Sequence, residues 1–214
     1  MNILIAGVGG QGALLAARII GAAAASKNFD VKVSEVHGMS QREGSVETYV
    51  RYAKEPISSP IIGKGGADVV LGFEALEALR GVPFLRKGGK MVMNTQRIDP
   101  MPVITGAAAY PEDIPARVRG LGIEVVAADA LRAAKEVGNV KAVNVVMLGV
   151  LSGLPEFAGE FSAEDWTEAV KACVPGRFLE INLKAFGAGR GIGDAARGVN
   201  CGEAGFLPEK DGKA

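Results

Sequence analysis

Hydrophobic positions along the chain follow two alternating rhythms. Short β-branched runs are separated by longer stretches rich in Ala and Leu, the pattern of a sheet layered against helices. Residues 2–6 (NILIA) form an unbroken apolar run that stops at glycines, as expected for a strand covered on both faces. Residues 13–26 (ALLAARIIGAAAAS) predict a helix whose small side chains allow close approach to the sheet. Residues 31–36 predict a second strand. In residues 45–53, Val46, Thr48, Val50 and Tyr52 alternate with Glu47, Tyr49 and Arg51. That period of two predicts an edge or antiparallel strand rather than a central one. Residues 68–73 (DVVLGF) and 90–94 (KMVMN) predict buried strands, 74–79 a short helix, 103–105 a weak strand, 111–121 a helix and 123–127 the last strand.

Beyond that point the pattern is helical, over residues 129–137, 142–154, 162–173 and 176–190. Ser162 is a good N-cap, with Asp165 supplying first-turn acidity, and Pro175 separates the last two helices. From 191 to 214, Gly and charged residues replace apolar ones. Such a stretch buries too little to offset its ordering entropy and is expected to be a flexible tail.

Composition narrows the partners. The 214 residues are 48% hydrophobic and 22% charged, an ordinary globular balance. Lys plus Arg and Asp plus Glu are 24 each, so the net charge is zero. No nucleic-acid partner is expected, because phosphate backbones call for a basic surface, and a chain with little self-repulsion suits a standing protein partner. The two cysteines, Cys173 and Cys201, form no C-x-x-C run, so no metal or cluster site is expected in this chain alone. Few cysteines fit a reducing, cytoplasmic setting. The apolar run 142–154 falls short of the roughly 20 residues that cross a bilayer, and residues 1–7 lack the basic start of a signal peptide, so no membrane association is expected.

Two loops carry candidate chemistry. Gly7-Val8-Gly9-Gly10-Gln11-Gly12 follows a strand and opens a helix. There, main-chain N–H groups can approach an anion at the positive helix end. Glu35, 23 residues after Gly12, lies where a dinucleotide fold places its ribose carboxylate. The same glycines also fit a tight turn that only lets the helix pack. The second loop, residues 37–45, holds the single histidine, His37, with Gly38, Ser40, Gln41 and Arg42. It follows the second strand, on the sheet edge where open α/β folds bind ligands. Arg42 can grip a carboxylate or phosphate and His37 titrates near neutrality, although a solvated loop explains both more blandly. Asn144 reads as a satisfied buried amide, and Cys173, Met39, Met91, Met93 and Trp166 as packing or interface residues. Glu74 and Glu77 read as one exposed helix face.

Together, GVGGQG (7–12), SEVHGMSQREGSV (34–46), ADVVLGFEALEALR (67–80) and KAVNVVMLGVLSGL (141–154) resemble the γ-subunit family of 2-oxoacid:ferredoxin oxidoreductases, above all its indolepyruvate type, from residue 2 to about 190. The resemblance implies a single α/β, Rossmann-like domain over residues 1–190. Its largely parallel sheet would be flanked by helices, followed by a helical C-terminal part and a tail over 191–214. It implies oxidative decarboxylation of a 2-oxoacid with coenzyme A, with electrons passed to ferredoxin. Thiamine diphosphate, magnesium and iron–sulfur clusters would belong to larger partner subunits. The chain would carry no catalytic residue and be inactive alone, with a homodimer in isolation left open. Gly7, Gly9, Gly10, Gln11, Gly12, His37, Gly38, Ser40, Gln41 and Arg42 carry over as cofactor-binding or active-site wall positions. The family often has Gly where this chain has Glu43. The rival readings are a stand-alone NAD- or nucleotide-binding protein and a purely structural dimerising domain.

Overall fold

The computed structural model describes residues 1–37 and 44–199, with the side chains of His37 and residues 197–199 outside the description. Its strands are β1 (Asn2–Val8), β2 (Asp30–His37), β3 (Ser45–Ala53), β4 (Ala67–Gly72), β5 (Leu85–Asn94) and β6 (Glu124–Ala128). They form one sheet in the order β2-β3-β1-β4-β5-β6. Strands β1, β4, β5 and β6 are parallel, and β3 runs antiparallel to both its neighbours, β1 and β2. The expected α/β, largely parallel, Rossmann-like sheet is therefore present, with one reversed strand inside it.

That strand sharpens the sequence reading. β3 is antiparallel, yet it lies inside the sheet, and β2 is the edge. Its polar positions are covered locally. Arg51 donates to the Asn2 side chain at 2.9 Å and to the Ser59 carbonyl at 2.7 Å, within the connection to β4. Tyr49 donates to Glu47 at 2.5 Å.

Alternating strand residues feed two apolar layers. Ile3, Ile5, Val69, Leu71 and Val92 pack under α1 (Ala13–Ser26) and the C-terminal helices. Leu4, Val70, Met91 and Met93 face the opposite layer, with α2 (Ala75–Gly81) and α4 (Ile114–Gly120). Met91, Met93 and Trp166 are fully buried, in keeping with packing roles. Residues 103–105 are not a strand. Instead α3 (Met101–Ile104) forms there, because Pro102 suits a first helical turn and the Thr105 hydroxyl bonds back to the Met101 carbonyl.

The C-terminal part is helical throughout: α5 (Ala130–Glu136), α6 (Val143–Ser152), α7 (Pro155–Glu160), α8 (Ala163–Cys173) and α9 (Leu179–Val199). Every residue of helix α6 is buried, which fits its being apolar on all sides apart from Asn144 and Ser152. Ser162 and Asp165 form a reciprocal capping box. Helix α9 runs through residue 191 to Val199, so the glycines expected to open a tail lie inside a helix; residues 200–214, with Cys201, are outside the description. The reason is contact. Gly149, Gly153, Gly189 and Gly193 bring α6 and α9 together so closely that a Cβ on Gly189 or Gly193 would run into the carbonyl of Val146 or Val150. No helix among the described residues is long and apolar enough to cross a membrane.

Candidate functional site

The carboxyl ends of β1, β4 and β5 meet at the glycine loop. Gly10 and Gly12 hold positive φ, +95° and +80°, a region closed to most side chains. Gly12 is the N-cap of α1, and among the described residues no side-chain oxygen caps that helix end. The first-turn N–H groups of a helix have no intrahelical partner and carry its positive end. Two residues that carry them, Ala13 and Leu14, line an open cleft of about 460 Å³ with Val8, Gly9, Gly10, Gly12, Glu35 and Val46. Glu35 projects from the edge strand into this cleft, and Thr48 Oγ1 donates to its Oε2 at 3.4 Å. The cleft thus pairs a positive backbone end with one carboxylate and the exposed apolar Leu14.

The loop is tied from behind. Gln11 Oε1 accepts from the Val8 N–H at 2.7 Å, and its Nε2 donates to the Phe73 carbonyl at 3.1 Å. Gln11 is therefore engaged with the scaffold and is not a lining residue of the cleft. Asn94 Nδ2 donates to the same Phe73 carbonyl at 3.0 Å, while its Oδ1 accepts from the Ala130 N–H. The Gly9 N–H donates to the Gly44 carbonyl at 2.8 Å, which fixes the loop to the start of β3. On the far side, Asn144 Nδ2 donates to the Gly12 carbonyl at 3.2 Å and its Oδ1 accepts from the Val145 N–H, so Asn144 is the satisfied buried amide expected.

Glu74 and Glu77 overturn their reading as an exposed face. They are 1% and 4% exposed, enclosed between the end of β4 and the segment after β5. Glu74 caps α2 by accepting from the Glu77 N–H at 2.8 Å, and also accepts from the Ile98 N–H and the Tyr110 hydroxyl. Burial first, and then the Glu74 carboxylate, push the Tyr110 phenol well above its usual range. Glu77 accepts from the Ser45 hydroxyl at 2.6 Å and from Arg80 Nη1 at 2.5 Å.

Of the sequence-predicted site residues, Gly9, Gly10 and Gly12 meet at the cleft. Gly7 lies in β1, where a Cβ would press on Gln11 Oε1 and Phe73. His37 ends β2, with its backbone opposite Val46. Gly38, Ser40, Gln41 and Arg42, together with Met39 and Glu43, lie outside the described residues. Leu14, Val46, Phe73 and Asn94 were not singled out. Asn94 alone carried a signal, a polar residue closing a strand predicted to be buried. Among the described residues no three His, Cys, Asp or Glu side chains come together as a metal site. The Cys173 thiol is half-buried, and burial pushes its pKa up, away from reactivity.

The family described as pyruvate ferredoxin/flavodoxin oxidoreductase matches residues 2–192. The indolepyruvate oxidoreductase subunit IorB of Thermococcus kodakarensis is 42% identical over 191 residues, covering 88% of this chain and 93% of the relative. Its counterpart in Pyrococcus horikoshii is 44% identical over the same shares. A crystal structure of the γ subunit of a keto/oxoacid ferredoxin oxidoreductase from Geobacter sulfurreducens has the same fold, with a TM-score of 0.66 at 24% identity, over 91% of this chain and 98% of that one.

Proposed function

The chain belongs to the pyruvate ferredoxin/flavodoxin oxidoreductase family, in which its relatives are subunits of oxidoreductases, and from that membership we propose that it is the small subunit of a 2-oxoacid:ferredoxin oxidoreductase acting on indolepyruvate. In this reading the complex converts the 2-oxoacid and coenzyme A to acyl-CoA and carbon dioxide and passes the electrons to ferredoxin. Two subunits named for indolepyruvate, at 42% and 44% identity, support that oxoacid over branched-chain ones or 2-oxoglutarate.

The observation that carries the chain's own role is the start of α1, which no described side chain caps, opening on a cleft beside the Glu35 carboxylate. Backbone amides and one carboxylate suit the phosphates and hydroxyls of coenzyme A. They do not suit an iron–sulfur cluster, which needs thiolates, and offer no magnesium–diphosphate ligand set. In this reading thiamine diphosphate, magnesium and the clusters belong to a larger partner, and no chemical step is assigned to this chain. Gly9, Gly10 and Gly12 form the wall of the coenzyme A passage. Gly7 and Gln11 support it from behind. The whole assembly is expected in the cytoplasm.

The rival dinucleotide reading keeps one supporting feature, Glu35 in the cleft. Strand β3 nevertheless lies between the glycine-loop strand and the strand bearing Glu35, which a dinucleotide fold places side by side. The test is co-expression with the large subunit. The expected result is coenzyme A-dependent reduction of ferredoxin by indolepyruvate in the complex and none in the isolated chain. Micromolar NAD binding by the isolated chain, with no gain on adding the partner, would overturn the proposal.

A further inference from the structure

The buried carboxylate of Glu77 has no part in the cleft surface, yet it sits one contact away from what holds that surface in place. Its side chain is only 6% exposed and both oxygens are engaged, Oε1 with Arg80 and Oε2 with the Ser45 hydroxyl. Ser45 starts β3. The residue before it, Gly44, supplies the carbonyl that takes the Gly9 N–H, and the residue after it, Val46, lines the cleft. The route from Glu77 to the glycine loop is therefore one side-chain hydrogen bond, one residue of backbone and one main-chain hydrogen bond.

Stability alone does not account for a carboxylate here. Burying a charge carries a large desolvation cost, and apolar residues of similar volume often serve a fold as well as a buried ion pair does. What an apolar residue cannot do is orient a hydroxyl. We infer that Glu77 is a positioning residue for the cleft: through the Ser45 hydroxyl it fixes the start of β3, and with it the Gly44 carbonyl that anchors the glycine loop.

The other tether of the loop runs through Gln11 to Phe73, the residue that follows β4 and precedes the Glu74 cap of α2. Both tethers thus end on one short stretch, residues 73–77. A shift of the start of α2 would move the two supports of the loop together, so the cleft geometry is set from the opposite layer of the molecule.

The consequence for coenzyme A rests on the function proposed above, and the test separates the two. Amide hydrogen exchange on the full-length chain reads the positioning directly. Ser45→Ala and Glu77→Ala should each speed exchange of the Gly9 amide by about tenfold, with core amides of β4 unchanged, and Ser45→Thr, which keeps the hydroxyl, should restore protection. In the complex with the large subunit, the same variants should raise the KM for coenzyme A by roughly three- to tenfold and leave kcat within about twofold. The double variant should be no worse than either single one, because both remove the same bond. Unchanged Gly9 exchange overturns the inference. So does faster exchange with an unaltered KM in an active complex, since Glu77 would then only brace the fold. Faster Gly9 exchange in the variants, when the wild-type complex itself shows no coenzyme A-dependent activity, upholds the positioning and sinks the proposed function instead.

Discussion

The side-chain nitrogen of Asn144, at the start of α6, lies 3.2 Å from the carbonyl of Gly12, at the start of α1. The same nitrogen occupies the space that a side chain on Gly12 would need, since a Cβ there would come within 2.5 Å of it. The two helix starts are locked to each other, and the cleft inherits their spacing. Gly12→Ala combines a left-handed backbone, costing roughly 1–2 kcal/mol, with an overpacking cost of roughly 1–3 kcal/mol. Gly10→Ala meets the backbone cost alone, because no described residue lies within 4 Å of its added Cβ. Urea unfolding should rank Gly12→Ala as the more damaging by at least about 1 kcal/mol. Equal losses would mean that the Asn144 contact has no weight.

Gln11 tests whether the loop is held from behind. Gln11→Ala leaves the Val8 N–H without its acceptor and removes one donor from the Phe73 carbonyl, a loss of about 1–3 kcal/mol where the groups stay dry. The carbonyl retains Asn94, so the loss should fall toward the lower part of that range. Gln11→Glu keeps the acceptor for Val8 but turns a carboxylate oxygen toward the Phe73 carbonyl, and should be worse than alanine at neutral pH and better once protonated. Chemical denaturation at two pH values decides it, and a Gln11→Glu variant as stable as the parent would refute the clip.

Helix α9 gives a prediction in which the sign itself is the readout. Gly187 and Gly189 are two residues apart in the same helix, and alanine is the better helix former by roughly 1 kcal/mol. Gly187→Ala has open space and should stabilise the protein by about 0.5–1 kcal/mol. Gly189→Ala drives a methyl into the Val146 carbonyl and should destabilise despite its propensity. Opposite shifts in Tm are expected, and a rise for both would mean that α6 and α9 pack less closely than described.

The same helix marks where the sequence stopped being legible. Strands β1, β4 and β5 and the helix after the glycine loop could be read from local pattern, because burial on two faces leaves continuous apolar runs. A glycine-rich stretch has no such pattern. The glycines near residue 190 look like a tail along the chain, and only the groove on α6, some forty residues earlier, turns them into a packing surface. Glu74 and Glu77 misled in the same way: their spacing of three fits an exposed helical face, whereas the helix that bears them is enclosed by β4 and the segment following β5. At the site, the glycine loop and Glu35 were readable because backbone chemistry at a strand–helix junction is local. Ser45 and the Phe73 carbonyl were not, because their importance lies in partners distant in sequence, and Asn94 showed only as a polar residue closing a buried strand.

The tyrosines supply a prediction in alkali. The chain has three, Tyr49, Tyr52 and Tyr110. Each donates its hydroxyl to a carboxylate, Glu47, Glu160 and Glu74 respectively. Burial disfavours the phenolate, and the nearby negative charge adds to it. Tyr49 is pushed up to about 12 from an ordinary value of 10.0, and Tyr52 and Tyr110 rise further. A group whose pKa is raised by folding stabilises the native state fully below its unfolded value. That contribution is lost as pH climbs from the unfolded value through the folded one. Native stability should therefore be insensitive to these tyrosines up to about pH 9 and decline from pH 10 upward. Phenolate absorbance in the folded protein should show no step near pH 10, and the signal should appear with unfolding rather than before it. Phe substitution at Tyr52 keeps the ring contacts with Phe29 and Phe161 but removes the ionisable hydroxyl. It should flatten part of the alkaline decline in stability. A tyrosine that titrates near pH 10 while circular dichroism remains native would show that its hydroxyl is not held by the carboxylate beside it.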